Sequence, residues 1–476
     1  MINFKKHLPL LLIIFIPALL IVVCLIFFNQ PQESTLGNNI DDSSINWDSY
    51  AEKTINLSDG SVKLTTPGIY TLTGTLDNGM VEINTSGVVK LILNNATIKN
   101  SSGPAILVSE AETVIVETAD GTENSLEDGA SYSLSDTDIC AALFSKDDLV
   151  LQGSGTLTVL GNYEDGIVSK DDLKITSGTY RVEAKDDGIR GRDSIYVKGG
   201  TFSVTSGGDA LKSNNSDEVS KGYILIDGGT FSLSAGDDGI HAESSLEINA
   251  GTIAIEKSYE GLEGSKITIN GGDISVNASD DGVNAAGGND SSSPNVNHYQ
   301  STSSNYAIIV NGGTLSVNAS GDGIDSNGSL TFNGGSVTVD GPANSANGAL
   351  DAEGAVAFNG GSVIALGASG MAVAPGSSSE KYSLSVFFST SYSSGTKLTV
   401  KDSSGNTVLE YTAKKSFSHA SLSSDSFKQG ETYTILLNDS TYSTVTLSDK
   451  TTQLGSGGMG GGMGGDMMPG GGGRMR

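Results

Sequence analysis

The sequence predicts an all-β fold, a parallel β-helix of about 22 residues per coil with three strands in each coil. Three observations predict it. First, a phrase of an acid, a small residue and an aliphatic one recurs along the chain. It reads Asp165-Gly166-Ile167, Asp187-Gly188-Ile189, Asp209-Ala210-Leu211, Asp238-Gly239-Ile240, Glu260-Gly261-Leu262 and Asp281-Gly282-Val283, with steps of 22, 22, 29, 22 and 21 residues between the acids. Second, a glycine phrase runs in phase with it, as in Gly199-Gly200-Thr201-Phe202-Ser203-Val204 and Gly228-Gly229-Thr230-Phe231-Ser232-Leu233. Third, an alternating run such as Leu173-Lys174-Ile175 or Leu246-Glu247-Ile248 separates the two phrases. Each period therefore carries three strand signals between Gly, Asn or Asp turns.

Residues 1–30 hold Lys5, Lys6 and His7 ahead of an apolar run from Leu8 to Phe28, long enough to span a bilayer. This reads as a signal anchor or signal peptide with its N-terminus inside the cell, so everything beyond is exported to the extracellular side, secreted or anchored to the membrane. Cys24 lacks the small residues that precede a lipidated cysteine. Residues 31–50 are polar and read as a linker. Residues 51–375 hold the coils, irregular at first, with an offset of 24 residues between Leu143-Phe144-Ser145-Lys146-Asp147-Asp148 and Ile167-Val168-Ser169-Lys170-Asp171-Asp172. Later copies of the acid phrase are Asp322-Gly323-Ile324 and Asn347-Gly348-Ala349. Two insertions, near 214–222 and 287–305, both fall between the acid phrase and the middle strand, the place where repeat-specific insertions mark a binding face. Residues 376–450 change rhythm and read as a small β-sandwich or strand cap over the open sheet edge. Residues 451–476 are a Gly/Met-rich tail that reads as disordered.

Net charge is −28, which argues against a nucleic-acid partner and suits a cation binder. With Cys24 in the apolar run, Cys140 has no partner for an intrachain disulfide. A monomer is expected.

Stacked coils place equivalent residues about 4.8 Å apart. The acid phrase thus builds a column of Asp165, Asp187, Asp209, Asp238, Glu260 and Asp281, and a second acid often precedes the first: Glu164, Asp186, Asp237, Asp280. Neighbouring carboxylates at that spacing repel by roughly 3–4 kcal/mol at an effective dielectric of 20. A divalent cation relieves this. Calcium fits, with its many oxygen ligands and loose geometry, and zinc does not, because the column offers neither Cys nor a His pair. The expected metal ligands are Asp165, Asp186, Asp187, Asp209, Asp237, Asp238, Glu260, Asp280 and Asp281. The competing account of each copy is ordinary Asp-Gly turn chemistry.

Just past the aliphatic residue runs a mixed row of Arg190, Lys212, His241, Glu263, Asn284 and Asp325. Arg190, Lys212 and the nearby Arg192 either pair with the acid column or bind sugar carboxylates. Tyr163 and Tyr259, just before acidic turns, are candidates for stacking on a sugar ring, whereas Tyr180, Phe202 and Phe231 share one inward position. His298 and Tyr299 sit in the larger insertion.

The coil phrases, the Gly103-Pro104-Ala105-Ile106 and Asn124-Ser125-Leu126 segments and the Gly-Met tail together resemble the exported carbohydrate-binding β-helix family of clostridia and other Firmicutes, over about residues 50–450. The resemblance implies a right-handed parallel β-helix, calcium held between coils by Asp186, Asp187, Asp209, Asp237, Asp238, Asp280 and Asp281, and binding to cellulose or pectic polysaccharide. It extends to β-helix pectate lyases, and it fixes no sugar contact. Three functions follow: calcium-dependent, non-catalytic binding of a plant-type or cell-wall polysaccharide; a calcium-dependent pectate lyase with Lys212 or Arg190 as base; or a structural adhesin that calcium only rigidifies.

Overall fold

The computed structural model describes residues 42–286, 306–344 and 347–456. The N-terminal apolar segment, the larger insertion with His298 and Tyr299, and residues 457–476 lie outside the described residues. The start of the segment 451–476 departs from the disordered tail that the sequence predicts: Thr451–Leu454 is a strand paired in parallel with Ser383–Tyr392, because its alternating residues complete that sheet edge. Among those described there are three short 3-10 turns and otherwise strands, in one large sheet and one of four strands.

Within the repeats the strands form three parallel ladders. The first follows the acid phrase and includes Asp165–Ser169, Ile189–Gly191, Leu211–Ser213 and Val283–Ala285. The second includes Asp172–Ile175, Ser194–Val197 and Tyr223–Ile226. The third follows the glycine phrase: Thr179–Ala184, Thr201–Ser206, Thr230–Ser234, Thr252–Ser258, Asp273–Ala278, Thr314–Ala319 and Ser336–Asp340. Each strand pairs with its equivalent one period away, so Ile167, Ile189, Leu211, Ile240, Leu262, Val283 and Ile324 meet in a single row. At Ile240–Ile248 and Leu262–Ile269 the first two ladders run on without a break.

Strand alternation sends one side chain of each pair inward, as in Thr201–Ser206, where Phe202 and Val204 are buried and Thr201, Ser203 and Thr205 are exposed. The inward rows fuse into one apolar core from Leu57 to Ala365. Tyr180, Phe202 and Phe231 stack inside it, with ring centroids 5.3 and 4.5 Å apart.

The two phrases have separate causes. The second glycine of the Gly-Gly-Thr turn has positive φ at Gly200, Gly229, Gly272 and Gly313, a conformation that side chains resist. The glycine of the acid phrase is small for contact reasons. A Cβ on Gly188 would lie 2.4 Å from Val204 Cγ1, on Gly261 2.3 Å from Val276 Cγ1, and on Gly282 2.2 Å from Val317 Cγ1. Ala210 occurs in the period where Leu233 stands in the row of Val204 and Ile255, its branch one carbon further from the backbone.

The chain before the first strand packs on the outward face of the second ladder near the N-terminal end, and the C-terminal end is capped. Of the segment 31–50, residues 42–50 form two 3-10 turns, and Ile45 and Trp47 pack on Ile115 and Val150. Lys90 sits 4.6 Å from the Trp47 ring centroid and 3.0 Å from Asp42. At the other end Ser362–Gly367 takes an antiparallel partner, Phe417–Ser424, which pairs in turn with Ser383–Tyr392. A four-stranded antiparallel sheet, made of Lys397–Lys401, Thr407–Thr412, Thr432–Leu437 and Ser440–Thr446, shares an apolar cluster with these strands through Leu384, Leu422, Val400 and Ile435. The sheet edge that the last parallel strand would expose is thereby paired.

Candidate functional site

The in-register first ladder places the acids of successive phrases one above another. In five periods one carboxylate oxygen of the aspartate accepts the backbone N–H of the equivalent residue a period on. Asp187 N donates to Asp165 Oδ1 at 3.0 Å, Asp209 N to Asp187 Oδ1 at 3.0 Å, and Asp238 N to Asp209 Oδ1 at 2.8 Å. The same link joins Asp322 N to Asp281 Oδ1 and Gly348 N to Asp322 Oδ1. The acid is therefore more than a local turn former, since it holds period to period. In these aspartates the second oxygen is left over, and the column is buried in the wall: Asp165, Asp187, Asp209, Asp238 and Glu260 are all nearly inaccessible.

What that oxygen meets depends on the row three residues on. Arg190, Lys212, His241, Glu263, Asn284 and Asp325 stand in one register. Toward the N-terminal side the row supplies cations. Arg190 lies 2.6 Å from Asp165 Oδ2 and 3.7 Å from Asp187 Oδ2, and Lys212 lies 2.7 Å from Asp209 Oδ2 and 3.3 Å from Asp187 Oδ2. Burial opposes both charges, yet the flanking carboxylates hold both above their usual range. Arg190 also reaches Cys140 Sγ at 3.0 Å, a buried free thiol. His241 is the hinge of the row, bonded to Asp238 and to Glu263. Those two acids hold it protonated against burial.

Beyond His241 the row turns acidic. Asp238, Glu260 and Glu263 each bring a carboxylate oxygen within 4.8 Å of the others, and so do Asp281, Asp322 and Asp325. The last copy of the phrase is Gly348-Ala349-Leu350, one residue later than the sequence suggests, because Leu350 rather than Ala349 bridges to Ile324 and fills the apolar row, and Asp351 is then the next member of the mixed row. Burial, then mutual repulsion, pushes Glu260 up to about 9, Asp281 to about 8, Asp322 to about 7 and Asp325 to about 6. Between the two triads stands Asn284. Its Nδ2 donates to Glu260 Oε2 at 2.8 Å, while its Oδ1 is buried without a hydrogen-bond partner. An unpaired buried oxygen among crowded carboxylates is an arrangement a hard cation would complete.

The column is thus divided. From Asp165 to Asp209 it carries its own cations, and from Glu260 to Asp325 it carries an excess of acid. Of the nine acids that the sequence nominated for metal, Asp165, Asp187, Asp209, Asp238, Glu260 and Asp281 line the column. Asp186 and Asp237 face solvent, and Asp280 is half-buried beside the Tyr259 hydroxyl. Glu263, Asp322 and Asp325 complete the triads and were not among the nine. The signal was present: Asp322 opens a copy of the acid phrase, and Glu263 and Asp325 belong to the mixed row.

The candidate sugar contacts scatter. Arg190 and Lys212 are committed to the column. Arg192 lies 2.6 Å from Asp217 and 3.4 Å from Asp193, in a network with Lys221 and Asn215 that fastens the 214–222 insertion to the wall. Tyr163 stacks on Tyr132 at 4.3 Å between centroids. Tyr259 is exposed. A further acid group, Asp148, Asp171 and Asp172, opens the second ladder, with Ser194 Oγ donating to Asp172 Oδ1.

Residues 58–293 match the model of the carbohydrate-binding domain-containing protein family. The match takes in the cation-bearing half of the column and the Asp238, Glu260 and Glu263 triad, and stops before Asp322. A carbohydrate-binding domain-containing protein of Acetivibrio thermocellus is 37% identical over 135 residues, which is 27% of this chain and 47% of the relative, so the chain spans about half of that protein's length. A solved structure described as a polysaccharide lyase-like protein from C. thermocellum, as a gadolinium derivative, is 32% identical. It covers 47% of this chain and 92% of its own, with a TM-score of 0.41.

Proposed function

We propose that this protein is an exported, calcium-dependent polysaccharide-binding protein whose repeats form a right-handed parallel β-helix, and that it holds an acidic, pectin-like glycan without cleaving it. The observation that carries the reading is the acid run from Glu260 to Asp325, which has more carboxylates than His241, bonded to Glu263, can balance. Glu260, Glu263 and Asn284 would hold one ion, and Asp281, Asp322 and Asp325 another. The donors are all hard oxygens, the set that calcium prefers. Bound calcium supplies positive charge at the wall, where glycan carboxylates can complete its coordination. The matching family and the three parallel ladders support the polysaccharide and β-helix parts of the reading. The apolar run at Leu8 to Phe28 supports export and membrane attachment.

The lyase alternative needs a neutral amine or guanidine poised as base. Lys212 and Arg190 are instead clasped by two carboxylates each, which favours their charged forms. Incubation with polygalacturonate and millimolar calcium, followed by ultraviolet absorbance, is expected to reveal no unsaturated uronide. The binding reading is tested by polygalacturonate pull-down with calcium and with chelator. Retention should vanish on chelation and return with calcium. Equal retention in both conditions would leave the metal outside the binding site.

A further inference from the structure

The acid run ends close to the place where the last strand leaves the cap. Thr451–Leu454 pairs with Ser383–Tyr392, that strand with Phe417–Ser424, and that one with Ser362–Gly367, the last strand of the third ladder. Gly455 lies against the Phe387 carbonyl, and Phe387 is in register with His419 and through it with Gly367. Gly367 in turn lies against Ala349, two residues before Asp351. Three interstrand spacings, about 14 Å, thus separate Gly455 from Gly367, and two residues of extended chain lead on to Asp351. The whole span is about 20 Å.

The acids at that end have no positive neighbour of their own. Asp281, Asp322, Asp325 and Asp351 are half-buried, so one side of each is open to solvent. One oxygen of Asp281, Asp322 and Asp351 takes a backbone N–H. The charges that bear on Asp281, Asp322 and Asp325 are other carboxylates, Asp280, Asp351 and Glu353 among them. His241, the last cation of the mixed row, is bonded to Asp238 and Glu263 and stops short of them. The buried Asn284 oxygen at the head of this stretch has no hydrogen-bond donor.

The residues that follow the last strand carry the complementary charge. Residues 457–473 are glycine and methionine with Pro469 and a single charged residue, Asp466, and then come Arg474 and Arg476, on a chain of net charge −28. A glycine-rich chain of 18 residues, the separation of Ser456 and Arg474, spans about 21–25 Å root mean square. A linker whose length matches the span between its two ends gives the highest effective concentration, of the order of millimolar. A guanidinium meets carboxylates through paired N–H···O bonds, the strong form of that contact.

We propose that Arg474 and Arg476 are a tethered counter-cation for the acid run, seated on Asp322, Asp325 and Asp351 when calcium is scarce and displaced when calcium binds. Charge and reach select this occupant: the half of the column around Arg190 and Lys212 already holds its cations, and the half nearest Gly455 does not. Seated arginines relieve the repulsion among the acids in calcium-free protein. They also raise the calcium concentration at which the wall fills, since the ion must first displace them. The displacement rests on the calcium reading; the contact between arginines and acids does not.

The test compares the full chain with a double variant, Arg474→Gln and Arg476→Gln, at pH 7 in chelator and in calcium. Methionine-methyl NMR reads the segment directly, because Met475 stands between the two arginines. Its signal, assigned by its loss in Met475→Leu, should be broad in chelator and sharpen when calcium is added. In chelator at low salt the double variant should melt several degrees below wild type. That gap should close at about 1 M salt, where the screening length falls to about 3 Å. Calorimetry should find calcium bound severalfold more tightly by the variant. A Met475 signal equally sharp in both conditions, or a double variant with the melting temperature and calcium affinity of wild type, would overturn the proposal. A wild-type chain that binds no calcium, alongside a variant that still melts lower in chelator, would sink the calcium reading and leave the arginine contact standing.

Discussion

In the presence of chelator, the protein should lose stability as pH rises from 5 to 7, the reverse of what paired surface carboxylates produce. Asp281 sits against Asp322 and Asp325, and burial followed by their charges pushes it up to about 8. Unfolded, the same carboxyl titrates at about 4. Between those values the folded chain binds a proton that the unfolded chain has released, so stability is greatest at the acid end and declines as pH climbs toward 8. The slope is about 1.4 kcal/mol per pH unit for one such group. Over two units Asp281 alone accounts for up to about 2.7 kcal/mol. Glu260, pushed to about 9, acts in the same direction. His241, held protonated by Asp238 and Glu263, adds to the decline above its unfolded value of about 6.5. Acids held below their usual range, such as Asp42, contribute only at lower pH. A total of a few kcal/mol should appear as a fall of several degrees in Tm. On the proposed calcium reading, calcium at a hundredfold excess over its Kd should restore about 2.7 kcal/mol per site and flatten the slope, because the ion would replace the protons. The assay is thermal unfolding by circular dichroism at pH 5, 6 and 7, with calcium and with chelator. A metal-free Tm that is flat or rising over this range, or a slope that calcium leaves unchanged, would refute the reasoning.

Other outcomes test separate parts of the wall. Asp322→Asn should abolish one calcium-binding event in calorimetry and, by removing a repelling charge, raise the metal-free Tm at pH 7; a calcium isotherm like that of wild type would count against the triad. Arg190→Ala strands the buried Asp165 carboxylate, while Lys212 still faces Asp187, and should cost about 3–5 kcal/mol without calcium, partly recovered when calcium is added, since the vacated position then resembles the acidic half. Asn284→Leu removes the unpaired oxygen together with the bond to Glu260 and is expected to weaken calcium binding at least tenfold, read by calorimetry. Gly282→Ala drives a methyl into Val317 and should cost about 1–3 kcal/mol by overpacking, seen as a lower Tm with calcium and without.

The period of 22 residues, the three strand signals within it and the inward aromatic stack were legible in the chain, because each is a local pattern repeated often enough to exclude chance. The acid column was legible for the same reason. The glycine beside each acid looked like turn chemistry, but its cause lies across the core, where Val204, Val276 or Val317 leaves no room for a methyl. The docking of Trp47 on Lys90 and the apolar wall also needed folded neighbours, since nothing near residue 47 in the chain signals them. Above all, the sequence alone showed a uniform run of acids, and tertiary structure divided it. Arg190 neutralises Asp165, 25 residues behind it, and Asn284 answers Glu260, 24 residues behind. Local pattern reports what each period contains. Which charge of one period faces which charge of the next depends on strand register, and register is settled only when the apolar rows of all the periods pack together.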